Sequence, residues 1–195
     1  MKLYFIRHGQ KQKGDFFSEH IGQQNPPLTE HGVAQAEAMS RCFEDKPVER
    51  VLASEYVRAQ QTAAPVAKLK SLQVEVDARL NEIHAGITEP MSDEELQNTY
   101  PQFWDDFFGH QRDVRFPGGE TGEEVRERQL SLLDDCLKIG KDAVLVCHEG
   151  YIRLIMCTVL GLPVYHRYKF RMDYCGITVL ERSEGEWHIE RFNQA

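Results

Sequence analysis

Long apolar runs are missing from this chain of 195 residues. The nearest, "LIMCTVLGLPV" at 154–164, is too short to cross a bilayer, so no membrane span is expected. A CxxC pair is missing as well. The five cysteines (Cys42, Cys136, Cys147, Cys157 and Cys175) are odd in number and widely spaced. That argues against a disulfide framework or a thiolate zinc site and for reduced, buried thiols. Nor is there a basic excess: Lys and Arg total 23 against 31 Asp and Glu, a formal charge of −8. Neither nucleic acid nor an anionic membrane is drawn to a net anion, so neither is an expected partner, while a small basic pocket for an anionic metabolite is still compatible. No repeat or low-complexity tract interrupts the chain. The N-terminus reaches Arg7 and His8 after a few mostly apolar residues, which leaves no room for a signal-peptide core. A cytoplasmic protein with one domain over 1–195 is the expectation.

What is present alternates between strand and helix. "KLYFI" (2–6) and "DAVLVCH" (142–148) are short continuous apolar runs, as expected of strands covered on both faces. "VERVLAS" (48–54) reads as a strand and "LQVEV" (72–76) as an edge strand. Helices are predicted at 28–44, with Thr29 as N-cap, and at 55–69, with Pro65 kinking or ending it. Two more are predicted at 121–137, opened by a Thr121/Glu124 capping box, and at 149–161, stopped by Gly161 and Pro163. "SDEELQNTYPQFWDDFF" looks helical but is broken at Pro101. "GITVLERSEGEWHIERF" (176–192) reads as a hairpin turning near Glu184 and Gly185. The order predicts an α/β fold, a mostly parallel sheet with helices on both faces.

In such sheets ligands sit beyond the carboxyl ends of the strands. Here those ends carry chemistry. The first strand runs into Arg7, His8 and Gly9, and "AVLVC" runs into His148, Glu149 and Gly150. "RVLA" leads to Ser54, with Arg58 in the first turn of the next helix. A strand-end histidine alone is usually structural. Two imidazoles and two guanidiniums on one edge of one sheet make a site for a dianion, and a phosphoryl group is its natural occupant. An imidazole with an unperturbed pKa of ~6.5 is largely neutral near pH 7, so a ring nitrogen can attack phosphorus without a metal or cofactor. The leaving alkoxide needs a proton. Glu82 and His84, in "RLNEIHAG" (79–86), are the candidates, Glu82 first.

The chain resembles the histidine phosphatase superfamily, also called phosphoglycerate mutase-like. The pieces that match are "RHG" (7–9), "LTEHGVAQA" (28–36), "SEYVRAQQTA" (54–63), "LNE" (80–82), "PGGET" (117–121) and "VCHEG" (146–150), in the family's order. The resemblance implies a three-layer α/β/α sandwich and metal-independent turnover. It implies that His8 becomes phosphohistidine, that Arg7, Arg58 and His148 bind the phosphoryl group, and that Glu82 donates the proton and later helps activate water. Gln10, next to the RHG, is a further candidate phosphate contact. "HEGYIRLIMCTVLGLP" (148–163) and the length most resemble bacterial phosphatases such as α-ribazole phosphatase. The expected function is a phosphomonoester hydrolase of small phosphorylated metabolites. A phosphoglycerate mutase or bisphosphate phosphatase is the alternative within the family, and a non-catalytic phosphate-binding or protein-interaction module the alternative outside it.

Three features depart from the family. "RHGQKQKG" has Gly14 near the place where mutases carry an asparagine; "IHAGITEP" (83–90) replaces a pattern resembling F-G-x-W-E-G; and Glu149 stands where glycine or alanine is common. Glu149 is expected to disfavour a second anionic group near the phosphate. Segment 84–116 is expected to be a variable, lid-like cover. Its aromatic cluster, Phe103, Trp104, Phe107 and Phe108, reads as core, with a substrate-facing role as the alternative. His20, His31, His110, His166 and His188 read as surface or structural. Lys11, Lys13, Arg112 and Arg115 read as solvated loop charge, with a place at the mouth of the site as the alternative, and Arg153 as either a brace or a substrate contact.

Overall fold

The structure is a computed structural model that describes residues 1–194. Six strands form the central sheet: β1 (Lys2–Arg7), β4 (Arg50–Ala53), β5 (Val74–Val76), β6 (Ala143–Cys147), β7 (Ile177–Ser183) and β8 (Glu186–Gln194). Their order is β5-β4-β6-β1-β7-β8. The first four are mutually parallel, β7 is antiparallel to β1, and β8 pairs antiparallel with β7. Two short strands, β2 (Phe17–Ser18) and β3 (Gln23–Gln24), form a separate ribbon. The helices are α1 (Glu30–Ser40), α2 (Val57–Lys70), α3 (Asp93–Thr99), α4 (Pro101–Gly109), α5 (Gly122–Ile139) and α6 (Glu149–Val159).

Alternation along the strands builds the layers. Leu3 and Phe5 of β1 face one side with Leu145 and Cys147 of β6, where they meet Leu132 and Val125 of α5 and Ile152 and Ile155 of α6. Tyr4 and Ile6 face the other side with Val144 and Val146, where they meet Ala36 and Met39 of α1 and Ala63 and Val66 of α2. A period-2 strand that is apolar at every position requires cover on both faces, which these two helix pairs supply.

The predicted elements largely coincide with the observed ones. The Thr29 hydroxyl caps α1 by accepting from Gly32 N–H at 3.0 Å. Thr121 and Glu124 form the capping box of α5. The β7–β8 turn places Glu184 and Gly185 at φ of 52° and 84°, as a type I′ turn needs. One expectation is corrected: α2 does not end at Pro65 but runs on to Lys70. Proline removes one N–H from the ladder, and the buried Ala63, Val66 and Ala67 on either side hold the helix against the sheet. A second correction concerns the aromatic cluster. Rings of α4 pack on one another and on Phe116 rather than in either sheet core, and no residue of α4 is buried. Four cysteines are buried and Cys42 is exposed. Among the described residues no helix is long and apolar enough to cross a membrane.

Gly32 looks like a flaw in the first turn of α1, and packing gives its reason. A Cβ there would lie 2.2 Å from the Gln10 carbonyl oxygen, and one on Gly9 would lie 2.6 Å from the Gly32 oxygen. The β1 exit and α1 therefore touch backbone to backbone. Gly32→Ala is expected to lower stability by about 1–3 kcal/mol, as overpacking does. Urea melts of the two proteins check this, and unchanged midpoints would contradict it.

Candidate active site

Register fixes what the strand ends present. Ile6 of β1 and Ala53 of β4 both pair with Val146 of β6, so the three strands end level. The next residues then emerge side by side. His8 N–H donates to the Cys147 carbonyl at 3.0 Å, and Ser54 N–H to the Val146 carbonyl at 3.1 Å. His8 and His148 thus approach to 5.2 Å between ring centroids, with their planes at 64°. They are 5% and 0% exposed.

Arg58 lies between them. Its Nε donates to His8 Nε2 at 3.2 Å and its Nη2 to His148 Nδ1 at 3.3 Å. The remaining ring nitrogens are also committed. His8 Nδ1 lies 2.7 Å from the Gly9 carbonyl, which only accepts, so Nδ1 carries the proton. His148 Nε2 donates to Ser54 Oγ at 2.8 Å. Each imidazole is therefore in one neutral tautomer with a lone pair toward Arg58. Burial, reinforced by the Arg58 charge, pushes both pKa values well below the ordinary imidazole value. The Arg58 guanidinium also stacks on Tyr56, 4.2 Å from the ring centroid.

Arg7 is the second guanidinium near His8, and its charge adds to the lowering of the His8 pKa. Its Nη1 donates to the Met172 carbonyl, and its Nη2 lies 2.8 Å from Glu149 Oε2. Its Nε is buried without a partner. The other oxygen of Glu149 takes Arg153 Nη2, so Arg153 braces Glu149.

Glu82 sits at the N-terminus of α6. Its Oε1 accepts from Tyr151 N–H at 2.8 Å and Ile83 N–H at 3.0 Å, and its Oε2 from Gly150 N–H at 3.1 Å. A Cβ on residue 150 would lie 2.7 Å from Oε1, so glycine is needed for this seat. His84 lines the same cavity of about 430 Å³, but its Nδ1 is taken by the Gly86 N–H at 3.0 Å. Gln10 Oε1 accepts from the Thr29 hydroxyl at 2.9 Å, so that oxygen supports the cap of α1.

Two contributors escaped the sequence reading. Tyr174 covers Arg7, with the guanidinium 4.1 Å from its ring centroid, and lies 5.9 Å from His8. Only the insertion of β7 beside β1 brings it there: Cys175 N–H donates to the Arg7 carbonyl at 3.0 Å. Ser54 fixes the tautomer of His148, a role that depends on a partner 94 residues away. Lys11 is exposed, in keeping with solvated loop charge. No local pattern marks Tyr174 or the role of Ser54. Among the described residues, no group of three His, Cys, Asp or Glu side chains is placed to hold a metal ion.

Fold and site together define a phosphoglycerate mutase-like α/β protein, with two imidazoles and two guanidiniums at the carboxyl edge of its sheet. The family model of the histidine phosphatase superfamily (branch 1) matches residues 3–195, and the chain belongs to that superfamily. Members are phosphatases or mutases that act through phosphohistidine. Among curated relatives, a Yersinia pestis protein named "Probable phosphoglycerate mutase GpmB" is 28% identical over 189 residues, 96% of this chain and 87% of that one. Among solved structures, the α-ribazole phosphatase of Shigella flexneri matches with a TM-score of 0.84 at 24% identity, over 100% of this chain and 96% of that one. A mycobacterial glucosyl-3-phosphoglycerate phosphatase matches with a TM-score of 0.85 at 24% identity, over 100% and 99%. At that identity the structures share the fold.

The neutral imidazoles make stability depend on pH. In the unfolded chain both titrate near 6.5, whereas in the fold they stay neutral well below it. Below about pH 6.5 the unfolded state therefore binds protons that the folded state does not. Their contribution is complete above that value and is lost as pH falls toward the folded values. The loss is at most about 1.4 kcal/mol per histidine per pH unit. Urea midpoints are expected to fall between pH 7.0 and about 5.5, above the range where carboxylates titrate. A flat midpoint would mean that at least one ring is protonated in the fold.

Proposed function

We propose that the protein is a phosphomonoester hydrolase of small phosphorylated metabolites, with His8 as nucleophile. The observation that carries this reading is the state of His8. The Gly9 carbonyl holds the proton on Nδ1, which leaves the Nε2 lone pair inside the cluster, facing a guanidinium. A phosphoryl group entering there takes Arg58 onto its oxygens and frees Nε2 for attack. The N–P bond forms as the bond to the leaving oxygen breaks, and charge spread over the equatorial oxygens meets Arg7, Arg58 and His148.

Glu82 is the proposed proton donor to the leaving oxygen. It then takes the proton of the water that attacks phosphohistidine, breaking the N–P bond and releasing inorganic phosphate. Every group in this scheme is a side chain of this chain, so turnover is expected without a metal. Segment 84–116 serves as the cover of the leaving-group side. The curated relatives named as mutases favour transfer between positions of a phosphoglycerate as a second reading. Against it stands Glu149, whose carboxylate lies on Arg7 and would face a second anion close to the phosphoryl group. A purely binding module would have no use for an Nε2 lone pair held only by a guanidinium that a phosphoryl group can draw away.

Release of phosphate from p-nitrophenyl phosphate and from alkyl phosphates is expected to survive excess chelator. His8→Ala is expected to abolish it on both, and full turnover in that variant would refute the mechanism. Glu82→Gln is expected to slow alkyl phosphates by ~10²–10⁴-fold. The loss is expected to be much smaller on p-nitrophenyl phosphate, whose leaving group needs little protonation. Equal losses on both esters would remove Glu82 from the acid role.

A further inference from the structure

A second cavity, of about 310 Å³, lies against the seat of Glu82. Its lining includes Ile83 and Gly150, two of the three residues whose N–H groups hold the Glu82 carboxyl group. Its walls come from α4, the following loop and the short helix Val164–Lys169. The cavity therefore adjoins both the seat of Glu82, through Ile83 and Gly150, and the carboxylate on Arg7, through Arg153.

The walls are rings. Phe107 and Phe108 meet edge to face at 5.1 Å, and Phe116 lies 5.2 Å from Phe107. His110 stacks flat on Tyr168 at 3.7 Å and 9°. Phe108 and Tyr168 are nevertheless 47% and 45% exposed. Grouped aromatic surface left open beside a catalytic cluster is informative where a lone exposed apolar residue is not.

The charges decide what kind of occupant fits. Three guanidiniums line the cavity. Arg112 pairs with Asp106 and Arg153 with Glu149, while Arg167 lies 3.7 Å from Asp113 with its Nη1 buried and without a hydrogen-bond partner. Two of the three charges are thus met by direct ion pairs, and those guanidiniums offer planar faces more than free charge. Arg167 already stacks on Phe107, 5.3 Å from its centroid. Glu149 stands between Arg7 in the phosphoryl cluster and Arg153 in the cavity wall, so a carboxylate next to the phosphoester would meet it.

We infer that this cavity is the leaving-group subsite and that it selects phosphomonoesters of uncharged aromatic alcohols, with one or two rings, over aliphatic and carboxylate-bearing ones. The volume is at the small end of the ~300–1,000 Å³ range of ligand pockets, which suits a group of that size. Flat rings gain stacking against ring and guanidinium faces that a saturated ring of equal bulk does not. The inference rests on the hydrolase reading, but binding tests it without turnover.

The probes are 2-phenylethylphosphonate and 2-cyclohexylethylphosphonate, in which carbon replaces the bridging oxygen. They match in charge and reach and differ in the flatness of the ring. Calorimetry is expected to show the phenyl compound binding the wild-type protein roughly five- to tenfold more tightly. Phe108→Leu and Tyr168→Leu, both at exposed positions, are expected to reduce that ratio toward one, weakening the phenyl compound more than the cyclohexyl one. Glu149→Gln is expected to improve binding of phosphonoacetate, which carries a carboxylate beside the phosphonate. Equal affinities for the two ring compounds, no binding of either, or a ratio that survives both leucine variants would overturn the inference. Ring discrimination without hydrolysis of any ester would leave the subsite standing and defeat the hydrolase reading instead.

Discussion

A single buried guanidinium organises this site. Arg58 donates to one nitrogen of each imidazole, and burial, reinforced by the charge so placed, keeps both rings neutral. The rest of the structure serves this arrangement. The Gly9 carbonyl and Ser54 hydroxyl take the other ring nitrogens, so neither ring can flip its tautomer without losing a bond. Tyr56 stacks on the guanidinium and supplies a face where water would otherwise lie. Burying a cation costs free energy unless it is paired or hydrogen-bonded, and here the offset comes from neutral acceptors rather than a carboxylate. That leaves the cation open to an entering anion.

Arg7 is handled in the opposite way. Its fork is shared between the Met172 carbonyl and the carboxylate of Glu149, which Arg153 holds from behind. One guanidinium of the cluster is therefore matched only to neutral groups, and the other is partly satisfied by a charge of the protein itself. The asymmetry leaves a carboxylate of the protein on one guanidinium of the cluster, held by the Arg153 that also lines the aromatic cavity beyond Gly150.

Much of the frame was legible along the chain. β1 and β6 are short apolar runs because both faces are covered, and a pattern of that kind survives without tertiary information. Thr29, Thr121 and Glu124 announce helix starts because capping is local. Pro65 misled because proline is a local penalty, while α2 continues on the strength of contacts with a distant sheet. The aromatics of α4 misled because their period suits a buried helix. Whether a core lies opposite them depends on where the chain carries the helix.

The site divides along the same line. The sequence by itself determined which groups are available and at which strand ends: Arg7 and His8 after β1, Arg58 after β4, His148 after β6. It could do so because strand and helix periods are short-range, and parallel strands share one carboxyl edge. Only the tertiary structure decided how those groups meet. The tautomer of His148 needs Ser54 from a neighbouring strand, the cover over Arg7 needs Tyr174 from the far side of β1, and the seat of Glu82 needs the first turn of α6. Each is a contact between residues far apart in the chain, fixed by strand order and register, and no local pattern encodes such a contact.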